Sequence, residues 1–152
     1  MVGECVFCSL LAGEGSAEWV WRGSVASALL PQRSGWLAPG HTLVISNVHA
    51  VGVQDIPPHD LQEVALLVQR IAQEMVGAIG ALGVNVLNAS GSNSDQSIGH
   101  LHFHVVPRWA DDGLDTWIHG KSSHELGDGW LGDLRRRLAS RVQEAAEAFK
   151  TT

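Results

Sequence analysis

The chain has 152 residues, of which 45% are hydrophobic and 17% charged, and its formal net charge is −6. This composition is ordinary for one soluble globular domain. Its only basic cluster is Arg135–Arg137, which argues against a nucleic-acid partner. No apolar run is long enough to span a bilayer, so no membrane partner is expected. The two cysteines, Cys5 and Cys8, are too few for a secreted disulfide framework, and we therefore expect a cytoplasmic protein.

The first part of the chain predicts a short helix and three strands. Residues 5–12 predict a short helix or knuckle. The β-like runs 18–22 and 24–30 are separated by a glycine and therefore predict a hairpin. A loop is predicted over 32–40, and the branched residues of 42–48 predict a third strand.

The rest of the chain predicts two helices and two more strands. After a pair of prolines, apolar residues recur at helical spacing from Asp60 to Ile79. Strands are predicted over 84–89 and 100–106, on either side of a polar loop, and a last helix over about 129–149. Hairpin strands combined with long helices indicate an α+β layered structure. We expect the whole chain, 1–152, to form a single domain.

Three histidines alternate with apolar residues in the last predicted strand: His100, His102 and His104. Because side chains alternate between the two faces of a strand, the three imidazoles are expected on one face. Leu101 and Phe103 would then point to the core. A face of this kind suits an anion or a metal ion. A polar sheet face that happens to carry histidines is the alternative interpretation.

Imidazole chemistry indicates what such a strand can do. The neutral ring is a competent nucleophile near pH 7. It can attack phosphorus, expel a leaving group and hold the transferred group covalently until water or another acceptor removes it. Flanking hydrogen-bond donors then stabilise charge on the phosphoryl oxygens.

The His-X-His-X-His motif, followed by two apolar residues, resembles the signature of the histidine triad (HIT) superfamily. Further segments similar to that family are Cys5–Cys8, Pro39–Ile45 and a phosphate loop containing Asn88, Gln96 and Ser97. The resemblance covers about residues 4–109 and leaves 110–152 as an extension. It implies a HIT-like α+β fold, with an antiparallel sheet of about five strands packed with one long helix. A short zinc-linked segment at the amino terminus and a carboxyl-terminal helix complete that fold.

The resemblance also implies a role for each site residue. His102, the middle histidine, would be the nucleophile that forms a nucleotidyl-histidine intermediate. His104 and His41 would bind or orient the reacting phosphate, and His100 would lie beside the nucleophile. The residues implied to bind substrate are Asn88, Gln96 and Ser97.

The residues around the triad also have purely structural interpretations. Gln96 and Ser97 would then be ordinary polar residues of a loop. Asn88 would be a turn residue at the end of a strand, and His41 a capping residue after Pro39–Gly40. Their agreement with the family's spacing favours the functional interpretation.

The implied activity is that of a nucleotide hydrolase or transferase, acting on a phosphoramidate, phosphoanhydride or related nucleotidyl bond. Its substrate would be a nucleotide or a nucleotide conjugate, and no catalytic metal would be required. Family members are usually homodimers with a sheet that continues across the interface. The alternative is a non-catalytic, zinc-stabilised nucleotide-binding or interaction module of the same fold. The presence of His102 favours the enzyme.

A structural zinc site is predicted near the amino terminus. Cys5 and Cys8 have the Cys-X2-Cys spacing of tetrahedral zinc sites. The resemblance to zinc-binding bacterial family members implies that His49 and His100 supply the other two ligands. Two thiolates and two imidazoles leave no open position, so one zinc per chain would be structural. One alternative is a pair of buried or free thiols. Another is a redox Cys-X-X-Cys motif, although no thioredoxin-like βαβ pattern surrounds it.

Two departures from the family pattern concern the substrate. Many members carry an acidic residue that binds ribose near the end of the strand before the Pro-Gly-His segment, where this chain has Leu29–Leu30. Asp95 occupies a position of the phosphate loop where glycine is common. These changes leave the phosphorus chemistry intact and predict a remodelled nucleoside pocket.

Overall fold

The structure is a computed structural model that describes residues 5–150. The outer limits of the predicted domain, 1–4 and 151–152, lie outside the described residues. In chain order the elements are α1 (Val6–Leu11), β1 (Trp19–Arg22), β2 (Ala26–Leu29), a short 3-10 helix (Arg33–Gly35), β3 (Thr42–Ser46), α2 (Pro58–Ile79), β4 (Gly83–Leu87), β5 (His102–Arg108) and α3 (Trp130–Lys150).

The strands form one five-stranded antiparallel sheet in the order β1-β2-β3-β5-β4. The central pair is β3 and β5, in which Leu43 lies opposite His104 and Ile45 lies opposite His102. The chain also has a short amino-terminal helix, one long helix and a carboxyl-terminal helix. The predicted α+β fold is therefore confirmed.

The long helix α2 covers one face of the sheet. Its start follows from the proline at its first position, and its end from Gly80, whose positive φ of 67° closes the helix. The buried residues of α2 form one apolar stripe: Val64, Leu67, Val68, Ile71 and Met75. This stripe packs with Val44 of β3 and Val105 of β5, while the opposite face of the sheet carries His102 and His104.

The last strand begins at His102, so the prediction of a strand starting at residue 100 was wrong. The backbone N–H of His100 donates to the carbonyl of Ile98 at 2.8 Å, and that of Leu101 donates to the carbonyl of Ala50 at 2.7 Å. These two hydrogen bonds change the direction of the chain before it begins to pair with the neighbouring strands. Strand alternation therefore explains the shared face of His102 and His104, but not the position of His100.

The described chain contains two compact units, residues 5–116 and 117–150. The first holds the sheet with α1 and α2, and the second contains α3, in which no described residue is buried. The single domain expected from the sequence remains a prediction. Among the described residues, no helix is both long enough and apolar enough to cross a membrane.

Gly40, which immediately precedes His41, should be intolerant of a side chain. Its φ is +82°, and an added Cβ would lie 2.9 Å from the Cδ1 atom of Ile79. We expect Gly40→Ala to lower the free energy of unfolding by about 1–2 kcal/mol, because a left-handed backbone disfavours a Cβ. Urea denaturation followed by circular dichroism would measure the change.

The matched control is Gly77→Ala in α2, where an added Cβ meets nothing within 4 Å. Alanine is the better helix former, so this variant should gain up to about 1 kcal/mol. Equal stability changes in the two variants would contradict the assignment of strain to Gly40.

Candidate functional site

His102 lies at the start of β5 and its side chain is almost fully buried. Its Nδ1 atom is 2.7 Å from the backbone carbonyl oxygen of His100. A carbonyl can only accept, so Nδ1 carries the proton and donates it to this bond. The second ring nitrogen, Nε2, therefore keeps its lone pair, and the ring of Phe7 packs edge-on at 5.5 Å between centroids. This arrangement is what a nucleophilic imidazole requires.

His104 and His41 form a stacked pair beside His102. The ring centroids of His41 and His104 are 5.1 Å apart, and Nε2 of His41 lies 2.9 Å from Nδ1 of His104. The centroids of His102 and His104 are also 5.1 Å apart, in an edge-on arrangement. The structure thus brings together the predicted nucleophile and two predicted supporting histidines.

Burial keeps the two supporting rings neutral. It lowers the pKa of His104 to about 4, and repulsion from His102 and His41 acts in the same direction. Burial also lowers the pKa of His41, although the carbonyl of Gly35 favours its charged form. Near pH 7 both rings are therefore uncharged.

Asn88 lies just after β4 and its side chain binds the backbone of His102, the predicted nucleophile. Its Nδ2 atom donates to the carbonyl oxygen of His102 at 2.9 Å, and its Oδ1 atom accepts from the hydroxyl of Ser90 at 2.7 Å. Asn88 therefore connects the beginning of the phosphate loop to β5. The role of Asn88 in binding substrate stays a prediction.

Gln96 closes the phosphate loop on itself. Its Oε1 atom accepts from the backbone N–H of Gly91 at 2.8 Å, and its Nε2 atom donates to the carbonyl of Val51 at 2.6 Å. Both ends of the side-chain amide are thus engaged by backbone. The next residue, Ser97, is exposed.

Asp95 adopts a left-handed backbone conformation, with φ of 61°. This explains why glycine suits the position, since glycine has no Cβ to hinder positive φ. Aspartate is one of the few other residues enriched in this region. The replacement therefore keeps the turn and adds a carboxylate to the loop.

The four residues predicted to bind zinc lie together. The ligand atoms of Cys5, Cys8, His49 and His100 are all within 4.8 Å of one another. Nδ1 of His100 is 3.3 Å from the sulfur of Cys5, and Nδ1 of His49 is 3.3 Å from the sulfur of Cys8. Two sulfur and two nitrogen donors at this separation can hold one structural zinc ion.

The tautomer of His100 suits a metal ligand. Its Nε2 atom lies 2.7 Å from the carbonyl oxygen of Ser46 and must donate to it. The Nδ1 lone pair is then directed toward the cysteines, as is usual for metal-binding histidines. Burial raises the pKa of the Cys8 thiol, as does its neighbour Cys5, so a nearby cation would be needed to stabilise both thiolates.

Sequence reasoning could not identify which backbone groups orient these rings. The carbonyls of Ser46 and His100 and the amide of Leu37 all contact ring nitrogens of the histidines. A residue's identity carries no information about its backbone partners, so only the fold could reveal them.

The position of the missing ribose-binding carboxylate is apolar in the structure. Leu29 is 3% exposed and packs in a cluster with Phe7, Leu43 and Ile45. It lies opposite Leu43, which in turn lies opposite His104. The predicted departure therefore falls on the sheet face that carries the histidines.

The antiparallel sheet with paired histidines at its centre and a Cys/His cluster beside them defines a histidine triad protein. The HIT domain family model matches residues 28–111, and the chain belongs to this family.

Its relatives differ in how much is known of them. The chain is 26% identical to the adenylylsulfatase HINT3 of Arabidopsis thaliana, over 93% of this chain and 73% of that protein. It is 33% identical to an uncharacterized HIT-like protein of Mycobacterium tuberculosis, over 74% of this chain and 76% of the relative.

A solved structure of a zinc-bound histidine triad family protein from Mycobacterium smegmatis is also similar. It matches with a TM-score of 0.69 and 29% identity, covering 93% of this chain and 97% of that one.

His104 should titrate far below an ordinary histidine. We expect its NMR titration midpoint in the folded protein at about pH 4, because burial opposes the charged ring. In unfolded chains the pKa of this residue is close to the ordinary histidine value of 6.5. Its contribution to stability is therefore complete above pH 6.5 and is lost as the pH falls toward 4.

The control is the same titration of the urea-unfolded protein, in which all histidines should behave alike. A folded-state midpoint for His104 at or above its unfolded value would contradict this burial argument.

Proposed function

We propose that the chain is a nucleotide hydrolase or transferase that forms a covalent nucleotidyl intermediate on His102. The observation that carries this proposal is the hydrogen bond from Nδ1 of His102 to the carbonyl of His100, which leaves Nε2 free to attack. Membership of the HIT family and the similarity to a relative named as an enzyme, an adenylylsulfatase, also support the proposal. The bond cleaved is a phosphoramidate, phosphoanhydride or related nucleotidyl bond.

The reaction proceeds in two displacements. Nε2 of His102 attacks phosphorus, a nitrogen–phosphorus bond forms, and the leaving group departs with its bonding electron pair and then gains a proton. Water or another acceptor attacks the same phosphorus, loses a proton and breaks the nitrogen–phosphorus bond, which restores the ring. During the first step the ring becomes positively charged, and the His100 carbonyl at 2.7 Å from Nδ1 stabilises that charge.

The remaining site residues support this step. His104 and His41 lie beside His102 and bind or orient the phosphate. Asn88 holds the backbone of His102, and Gln96 holds the phosphate loop closed. The exposed hydroxyl of Ser97 is available to the phosphate or the leaving group.

A non-catalytic, zinc-stabilised nucleotide-binding module is the second candidate. The observation that favours it concerns Gln96. The oxygen and the nitrogen of its side-chain amide are both hydrogen-bonded to backbone, at Gly91 and Val51, which leaves less of this side chain to bind a phosphate. The two candidates differ in whether His102 acquires a covalent label.

A homodimer is the proposed assembly, and a reducing, cytoplasmic compartment suits the free cysteines Cys5 and Cys8. The support for a dimer lies in β4, which forms one edge of the sheet and pairs with β5 alone. Val86 in this strand and Leu82 just before it are 48% and 77% exposed. An apolar edge strand of this kind is suited to pairing with a second copy.

Replacing the nucleophile tests the enzyme. His102→Ala should lower kcat about 10⁴-fold or more, because deleting a covalent nucleophile removes the whole pathway. His104→Ala should cost less, since it removes support and leaves the attacking atom. Turnover of a nucleotide phosphoramidate would be measured, with rapid-quench trapping of an acid-labile label.

His59→Ala is the matched control, because His59 is exposed on α2. Near-normal turnover in His102→Ala, or a label on His100 or His104, would rule out this mechanism. Substrate binding without turnover or label in the unmodified protein would favour the non-catalytic module.

The Cys/His cluster is proposed to hold one structural zinc ion per chain, which would connect α1 to the histidine face of the sheet. Elemental analysis of protein purified without added metal should therefore find about one zinc per chain. Cys8→Ser should lose the metal and unfold at a lower temperature, because a structural zinc stabilises the folded state directly.

Ser9→Ala, on the same helix and adjacent to Cys8, is the control and should keep its zinc. A Cys5–Cys8 disulfide in the purified protein would exclude the site. So would an unchanged zinc content in Cys8→Ser.

A further inference from the structure

Four consecutive residues after β3 contact three parts of the site: the Cys/His cluster, the chain before β5 and the phosphate loop. We propose that this segment, residues 49–52, joins the Cys/His cluster to the phosphate loop, and that Asp55 is the positioning residue that holds it in shape. Loss of the Asp55 carboxylate would then loosen the phosphate loop and the predicted metal ligand His49 together. The relevance of Asp55 to catalysis rests on the proposed function.

The first two residues of the segment connect the cluster to the chain before β5. Nδ1 of His49 lies 3.3 Å from the sulfur of Cys8. The carbonyl of Ala50 accepts from the backbone N–H of Leu101 at 2.7 Å, and Ala50 is buried. Leu101 directly follows His100, another member of the cluster. The start of the segment is therefore fixed against both the cluster and the triad.

The third residue, Val51, holds the phosphate loop. Its carbonyl accepts from Nε2 of Gln96 at 2.6 Å, and Oε1 of the same Gln96 amide accepts from the backbone N–H of Gly91 at 2.8 Å. A second connection is made by the backbone N–H of Val53, which donates to the hydroxyl of Ser90 at 3.1 Å. Movement of Val51 would therefore release the side chain that closes the loop.

Gly52 shows how closely the segment approaches the phosphate loop. An added Cβ at this position would lie 2.6 Å from the Cβ atom of Ser90 and 2.5 Å from Oε1 of Gln54. Nε2 of Gln54 in turn donates to the carbonyl of Ser90 at 3.1 Å. The backbone of the segment thus packs directly on the loop, and contiguous contacts of this kind can carry a displacement from one to the other.

The carboxylate of Asp55 fixes the backbone of the segment. Its Oδ2 atom accepts from the N–H of Val51 at 3.0 Å, and its Oδ1 atom accepts from the N–H of Gly52 at 2.7 Å. These two bonds lower the pKa of the Asp55 carboxyl, so both oxygens are available as acceptors near pH 7. Hydrogen bonds to an ionised acceptor are stronger than those to a neutral one.

Peptide geometry makes these two bonds a connection between the parts of the site. The N–H of Gly52 and the carbonyl of Val51 belong to one planar trans peptide unit, in which they point in opposite directions. The N–H of Val51 and the carbonyl of Ala50 are related in the same way. Asp55 therefore holds the N–H side of two peptide units whose carbonyls bind the phosphate loop and the chain before β5.

Amide hydrogen exchange, measured by NMR on zinc-loaded protein, tests this role. The N–H of Gly91 reports on closure of the phosphate loop, because its acceptor is the side chain that Val51 holds. This amide should be protected in the unmodified protein and should exchange at least about tenfold faster in Asp55→Ala, as expected for local opening. The amide of Val44 in β3 should stay protected, which shows that the sheet is intact. Equal exchange of Gly91 in the two folded proteins would overturn the proposal.

Zinc affinity tests the other end of the segment. Asp55→Ala should release zinc to a competing chelator with about tenfold lower affinity, the lower end of the range for groups that orient metal ligands. Removing zinc from the unmodified protein should also speed the exchange of Gly91 while Val44 stays protected. Unchanged zinc affinity in Asp55→Ala, or unchanged Gly91 exchange after zinc removal, would also overturn the proposal.

Asp60→Ala is the matched control, because it removes a carboxylate from the first turn of α2, just beyond the segment. It should keep the Gly91 exchange, the zinc affinity and the kcat/KM of the unmodified protein. Asp55→Ala should lower kcat/KM about tenfold while His102 is still labelled. A control that behaves like Asp55→Ala would refute the specific role of Asp55. The exchange spectra need no substrate, so failure of the His102 mechanism would leave them standing, and an incorrect role for Asp55 would leave His102 labelling intact.

Discussion

The antiparallel pairing of β3 with β5 is the interaction on which the site depends. Its register places Ile45 opposite His102 and Leu43 opposite His104. His41 immediately precedes β3 and reaches His104, while the carbonyl of Ser46 at the other end of β3 binds the ring of His100. The two ends of β3 thus contact one histidine within β5 and one just before it. A shift of this register by one residue would turn His102 and His104 to the face covered by α2.

Backbone hydrogen bonds give the buried imidazoles their chemistry. The carbonyl of Ser46 leaves Nδ1 of His100 free to bind a metal, and the carbonyl of His100 leaves Nε2 of His102 free for the proposed attack. The amide of Leu37 has the opposite polarity and donates to Nδ1 of His41. The same type of side chain therefore leaves a different ring nitrogen free according to which backbone group it contacts. His100 also joins the metal cluster to the nucleophile, because its ring belongs to one and its carbonyl to the other.

The residues around the histidines depart more from the family pattern than the histidines themselves do. Leu29 is buried on the histidine face, where it contributes apolar surface in place of a carboxylate. Asp95 adds a negative charge to the phosphate loop while keeping the positive φ of a glycine position. These two residues alter what lies near the nucleophile without touching its hydrogen bond to the backbone. Candidate substrates are therefore compounds whose binding does not require a carboxylate that hydrogen-bonds ribose.

The sequence by itself determined the elements and the identity of the chemical groups. Local periodicity is enough to predict the helix ending at Ile79. The Cys-X2-Cys spacing predicted Cys5 and Cys8 as metal ligands, and the family resemblance implied the two histidines that join them. Sequence alternation placed His100 on the last strand, and this was wrong. The chain before β5 is held by a hydrogen bond from Leu101 to the carbonyl of Ala50, a residue distant in sequence. Only the tertiary structure decided which ring nitrogen of each histidine is free. That choice depends on backbone groups brought close by folding, and a backbone amide or carbonyl has no signature in the sequence.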